Sequence, residues 1–169
     1  MQQRLPSLFG EPILFAHRGA SAHAQENTLA AFSLAQKLGA TGVETDIWIT
    51  SDHQLVLDHD GLVRVGLRKK PIADLKRSQL PSHIPTLDEL VTVIGDDTPI
   101  SIDVKDVVVL RFINKYRLNR SNVWLCHPSM DVLKEQRSAL PDFKLVNSVR
   151  LAKIKEGPER RAASLSQHG

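Results

Sequence analysis

The feature that most constrains this chain is a repeated alternation: short apolar runs of strand length, each followed by a stretch with helical spacing. Parallel strands cannot be joined by a tight turn, so such alternation specifies a parallel sheet with helical crossovers. The first strand is expected at 13–16. Asn27 or Thr28 caps a helix whose apolar positions Leu29, Phe32, Ala35 and Leu38 recur at three-residue spacing, and Gly39 stops it. Strand two covers 42–49 and strand three 54–58, divided by a turn at Ser51-Asp52-His53. A polar stretch at 61–83, carrying Arg64, Arg68, Lys69 and Lys70, reads as a loop insertion. Thr86 and Glu89 then have capping-box spacing at the start of a second helix. Strand four is expected at 99–104, a helix at 107–116, strand five at 122–126, a helix capped by Ser129 and reaching 140, and strand six at 143–149. Pro158 stands at the first position of a last helix, which Gly169 would terminate.

These units imply an α/β chain of the (β/α)8-barrel type with about six of the eight strands present. Complete barrels run to about 250 residues, against 169 here. A single domain over 1–169 is expected, cut short on its C-terminal side. Composition sets wider bounds. At 41% hydrophobic residues the chain can bury one core. One cysteine, Cys126, excludes an internal disulfide framework and reads as core filler in a reducing compartment. No apolar run approaches a membrane span, and the run at 13–16 is too short for a signal sequence, so the expected location is cytoplasmic, without stable membrane insertion. The net charge of +3 comes largely from cations at helical intervals in the last third, which read as solvated helix faces. Aromatics are only 5%, so nucleic-acid binding, which uses interleaved basic and aromatic residues, is set aside.

Four clusters sit at the ends of expected strands, where active sites of such barrels are built. His17-Arg18-Gly19 follows strand one and pairs a proton carrier with a phosphate-binding guanidinium. On strand two, Glu44 and Asp46 share one face, while Val43, Thr45, Ile47 and Ile49 share the other. Two adjacent carboxylates on a covered face need a neutralising charge, and a divalent cation with oxygen ligands supplies it. The alternative is an edge strand with a solvated acidic face. His59 in Asp58-His59-Asp60 offers a second proton carrier, or else a structural loop histidine. On strand four, Asp103 and Lys105 share a face: a third carboxylate and an anion-binding lysine, or a plain surface pair. His127 reads as a loop histidine near the rim.

Taken together, Phe15-Ala16-His17-Arg18-Gly19, Glu26-Asn27-Thr28-Leu29-Ala30-Ala31-Phe32, Gly39 through Asp46, Leu55-Val56-Leu57-Asp58-His59-Asp60 and Ile84-Pro85-Thr86-Leu87-Asp88-Glu89-Leu90 resemble the glycerophosphodiester phosphodiesterases in identity, order and spacing. The resemblance implies a TIM barrel that hydrolyses glycerophosphodiesters, small-molecule substrates, to glycerol 3-phosphate and an alcohol with Mg²⁺ or Ca²⁺. It implies His17 and His59 as the acid/base pair, Arg18 and Lys105 as phosphate contacts, and Glu44, Asp46 and Asp103 as metal ligands. Asp103 stands where the family usually has Glu, Gln25 where it has Pro, and His127-Pro128 where Ser-Phe is common. The family's last strands, with an aromatic-rich motif, have no counterpart in this sequence. Two alternatives share the barrel: a catalytically impaired remnant, and a lysophospholipase D-like enzyme, although the polar 61–83 stretch gives no sign of the apolar rim a lipid substrate would favour.

Overall fold

The computed structural model describes residues 12–167; Gly169, the expected end of the last helix, and the N-terminal residues read for a leader lie outside them. Five parallel strands form the main sheet in the order β1 (Phe15–His17), β2 (Gly42–Ile49), β6 (Ile100–Val104), β7 (Val123–His127) and β8 (Lys144–Asn147). The crossovers carry α1 (Leu29–Lys37), α2 (Leu87–Ile94), the short α3 (Val109–Phe112) and α4 (Met130–Gln136), and α5 (Pro158–Ser166) follows β8. Among the described residues the sheet stays open, with β1 and β8 at its edges.

Local chemistry explains why the helices start where they do. Thr28 caps α1, its hydroxyl accepting from the Ala31 N–H at 3.2 Å, and Ser129 caps α4 in the same way. Thr86 and Glu89 form a complete capping box at α2, each side chain holding the other's backbone N–H. Phe32 and Ala35 are buried, but Leu38 is 62% exposed, because it is the C-cap of α1 and has turned off the packed face. The helix expected over 107–116 is a single α-turn followed by a 3-10 turn at Ile113–Lys115.

The third strand departs from the parallel plan. β3 (Leu55–Leu57) pairs antiparallel with β2, Ile47 opposite Leu57 and Ile49 opposite Leu55. The link at Ser51-Asp52-His53 is short, so the chain must reverse rather than cross over. The 61–83 segment is also more structured than a loop. It forms an antiparallel ribbon, β4 (Leu62–Val65) and β5 (Arg68–Pro71), then 3-10 turns at Ile72–Asp74 and Arg77–Gln79. Val63, Ile72, Leu75, Leu80 and Ile84 pack with Val56 into a small second core.

The main core lies on the helix side of the sheet, where Val43, Ile47, Ile102 and Leu125 are completely buried against Phe32, Leu87 and Leu90. The opposite face curls into a cup. Phe15 of β1 and Trp124 of β7, three strands apart in the order, meet edge to face with ring centroids 5.2 Å apart. Gly42 makes this possible: a Cβ there would stand 2.9 Å from the Phe15 ring.

Candidate active site

His17 ends β1 and lies beside Glu44 in the parallel register. Its Nε2 is 4.0 Å from Glu44 Oε2, and 68% of its side chain is exposed. Arg18 takes a left-handed conformation, φ 54°, and the turn points its backbone N–H at Glu44 Oε2, 2.9 Å away. The guanidinium continues to the next carboxylate on β2, with Nε 3.2 Å from Asp46 Oδ2. This is a charge contact, since Nε lacks hydrogen-bond alignment. Nη1 donates to Glu26 at 3.1 and 3.0 Å.

Asn27 joins these parts. It is buried, also left-handed at φ 54°, and its N–H donates to the Arg18 carbonyl at 3.1 Å. Its side-chain amide donates to Asp46 Oδ2 at 3.0 Å and accepts from Thr45 Oγ1 at 2.8 Å. Thr45 and Asp46 are on opposite faces of β2, so a single amide clips both beyond the end of β1. The Glu26-Asn27-Thr28 motif marks this position in the sequence, but only as a cap and a family likeness; its partners are set by tertiary contact.

Lys105 follows β6 and reaches back between two acids. Nζ is 2.9 Å from Asp46 Oδ1 and donates to Asp103 Oδ2 at 2.7 Å. Burial alone would lower its pKa, but hydrogen bonds and charge from Asp103 and Asp46 outweigh it and raise it above the ordinary lysine value. Glu44 also shifts upward: burial raises its pKa, the Arg18 N–H opposes, and repulsion from Asp46 adds to the rise.

His59 arrives from above. Its Nδ1 is 2.8 Å from Asp60 Oδ1, one residue beyond a bond from the Asp58 N–H to the Asp46 carbonyl at 3.2 Å. Ile47 pairs with Val104 of β6 on one side and with Leu57 of β3 on the other. Thus β3 occupies the β1 side of β2, above the point where β1 ends. His17 lies beside Glu44, and His59 follows β3 on that same flank of β2.

The chemistry of Glu44, Asp46 and Asp103 suits a hard divalent cation: oxygen donors only, on one face of two paired strands. The raised pKa of Glu44 is also what a neighbouring cation would relieve. The side-chain positions differ from the expected three-way convergence. Among the described residues no three His, Cys, Asp or Glu side chains are grouped closely enough to hold an ion. The reason is visible: Lys105 fills the gap between Asp46 and Asp103, and Glu44 turns toward Arg18 and His17.

The cup itself is a pocket of about 380 Å³ lined by His17, Glu44, Ser101, Asp103, Cys126, Pro128 and Ser148. Cys126 therefore is no core filler. It is half-buried, opposite Asp103 in the register, with Sγ 3.5 Å from Ser101 Oγ, and burial pushes its thiol pKa up. Alternation along β6 and β7 is the signal that would have found Ser101 and Cys126. His127, expected in a loop, is instead the last residue of β7, opposite Asn147, its Nδ1 accepting from the Ser129 N–H at 3.1 Å.

The model of the glycerophosphoryl diester phosphodiesterase family matches residues 17–110, more than half of the chain. The chain belongs to that family. A glycerophosphodiester phosphodiesterase of Caldanaerobacter subterraneus subsp. tengcongensis is 38% identical over 114 residues, 58% of this chain and 47% of that protein. Human lysophospholipase D GDPD1 is 32% identical over 136 residues, covering 64% and 43% of the two chains. This glycerophosphoryl diester phosphodiesterase family chain thus spans about half the length of the curated relatives it matches. The crystal structure of a Thermotoga maritima glycerophosphodiester phosphodiesterase superposes with a TM-score of 0.81 at 27% identity, over 94% of this chain and 70% of that one. An Oleispira antarctica phosphodiesterase, solved with sn-glycerol-3-phosphate, shares the fold at a TM-score of 0.75 and 22% identity, over 92% and 72% of the two chains.

Proposed function

We propose that the cup hydrolyses glycerophosphodiesters to glycerol 3-phosphate and an alcohol. The observation that supports this reading is the Glu44–Asp46 pair on the cup face of β2, with the His17 imidazole beside Glu44, the segment carrying His59 following β3 on the same flank, and a pocket of about 380 Å³ next to them. One histidine takes a proton from the nucleophile, either the neighbouring glycerol hydroxyl or water, and the other gives one to the leaving alcohol. Where the hydroxyl attacks, water then opens the resulting cyclic phosphate, with the two histidines exchanging roles, to give glycerol 3-phosphate. Such transfers contribute typically about 10²–10⁴-fold each. Lys105 holds a phosphoryl oxygen, and Arg18 offers Nη2, the end of its guanidinium not used by Glu26 or Asp46. Glu44, Asp46 and Asp103 would hold Mg²⁺ or Ca²⁺, which supplies charge neutralisation to the phosphoryl group when bound. Asn27 keeps Asp46 and the Arg18 loop in place throughout.

The test is glycerol 3-phosphate release from glycerophosphocholine, with added Mg²⁺ or Ca²⁺ and with a chelator. Release that stops with chelator and in His17→Ala is the expected result. Release indifferent to chelator removes the metal from the scheme, and a folded, metal-supplied chain that releases nothing removes the hydrolysis. A lysophospholipase D-like substrate is the second reading. It is favoured by Leu67, 95% exposed, and Leu62, 49% exposed, on the ribbon that begins just past His59. Such exposed apolar side chains would offer a lipid chain a surface that composition does not reveal.

A further inference from the structure

The β4–β5 ribbon has two unlike faces. Val63, buried, and Val65, half-buried, turn inward onto the second core with Trp48. The outer face carries Leu62, Arg64, Lys69 and Pro71, all exposed, with Arg64 directly opposite Lys69 in the antiparallel register. Like charges directly opposite each other destabilise a strand pair. Among the described residues no ion pair offsets this. No acidic residue occurs between positions 61 and 73, and among the described residues neither these two cations nor Arg68 and Lys70 forms an ion pair. At the turn between the strands Leu67 is 95% exposed, the most exposed large apolar side chain described. A large aliphatic residue at a turn, with four unpaired cations beside it, is costly in water and suited to a boundary that is anionic outside and apolar within.

The ribbon's position is also fixed. Gly61, at φ 67°, brings the chain so close to Trp48 that a Cβ would lie 2.4 Å from the indole ring. Trp48 shares the face of Glu44 and Asp46 by strand alternation, and the Ile72 N–H donates to the Gly61 carbonyl at 2.8 Å, closing the base of the ribbon. The ribbon is thus anchored on Trp48 and the second core.

We propose that the outer face of the β4–β5 ribbon docks on an anionic phospholipid surface, with Leu67 entering the headgroup layer. Nucleic acid fits less well, because the ribbon has no aromatic side chain on which a base could stack. The proposal does not depend on the hydrolysis above, since binding is read without turnover.

The test is co-sedimentation of the whole chain with vesicles of phosphatidylcholine alone and with about one-third phosphatidylserine. Binding to the anionic vesicles only, weakened at about 1 M salt, where charges are screened beyond about 3 Å, is expected. Each basic residue at such a surface is worth about fivefold in partitioning. Arg64→Glu/Lys69→Glu should therefore lose at least about thirtyfold, Leu67→Ser should lose several-fold, and Arg64→Lys/Lys69→Arg should keep binding. All these positions are exposed, so an unchanged thermal melt verifies the fold. Equal binding to neutral vesicles, indifference to the charge reversal, or no binding to either vesicle overturns the proposal. So does a chain that retards duplex DNA, or dimerises through this face, while ignoring vesicles.

Discussion

Val43 and Ile47 on one face of β2 are completely buried against helices, while on the other face Glu44 lines an open pocket and Asp46 pairs with Arg18 and Lys105. The two sets are adjacent in sequence and separated only by the alternation of the strand. On the helix side the neighbours are apolar apart from Thr45, which is hydrogen-bonded to Asn27, and the contribution to stability comes mainly from area removed from water. On the cup side the neighbours are charges of both signs, whose net worth to folding is small because desolvation offsets attraction. The lesson is that stability and chemistry in this chain can be perturbed separately, by choosing odd or even positions on the same strand.

The sharpest way to break that comparison is to remove an imidazole. His17→Ala and His59→Ala should each lower glycerophosphocholine hydrolysis by about 10²–10⁴-fold, with melting temperatures near the parent's because both side chains are substantially exposed. A large melting shift with retained activity would reverse the assignment of the faces. The opposite test is Ile102→Ala, completely buried on the helix side. It should cost about 2–5 kcal/mol in urea unfolding, while activity per folded molecule stays close to the parent's. Asn27 sits where the faces meet, so Asn27→Ala should lose on both counts. Leaving the Thr45 hydroxyl and Asp46 without their amide costs about 1–3 kcal/mol, and the freed Arg18 loop should lower kcat as well.

The smallest effect lies far from the cup. In the α2 capping box, hydrogen bonds from Thr86 hold the Glu89 carboxyl below its ordinary 4.5, Arg77 adding to the shift. A carboxyl lowered on folding adds stability above its unfolded pKa and loses it as the pH falls through the folded value. Glu89→Gln should therefore cost no more than about 1 kcal/mol at pH 7. As the pH falls through the folded value the parent and the variant should converge; a constant difference at every pH would discount the charge.

How much of this was legible in the sequence varies by element. β2 is found at its expected bounds because eight residues of strict alternation leave no helical reading. The capping boxes and caps are legible because they depend on residues three apart. β3 is not, since its direction is decided by the short link behind it and by pairing with β2. The 61–83 segment is polar on average, and its buried Val63, Ile72, Leu75 and Leu80 are too far apart in sequence to show a period. Cys126 reads as core until β7 is known to face the cup.

By itself, the sequence determined the strand–helix alternation, the apolar face of each strand, the helix starts and the family likeness, because all of these rest on spacing within one segment. Only the tertiary structure decided that Lys105 lies between Asp46 and Asp103, that Asn27 ties the Arg18 loop to β2, and that Leu67 stands out in solvent. Those outcomes depend on which distant side chain arrives first at a given carboxylate or core, and a linear pattern carries no information about that competition.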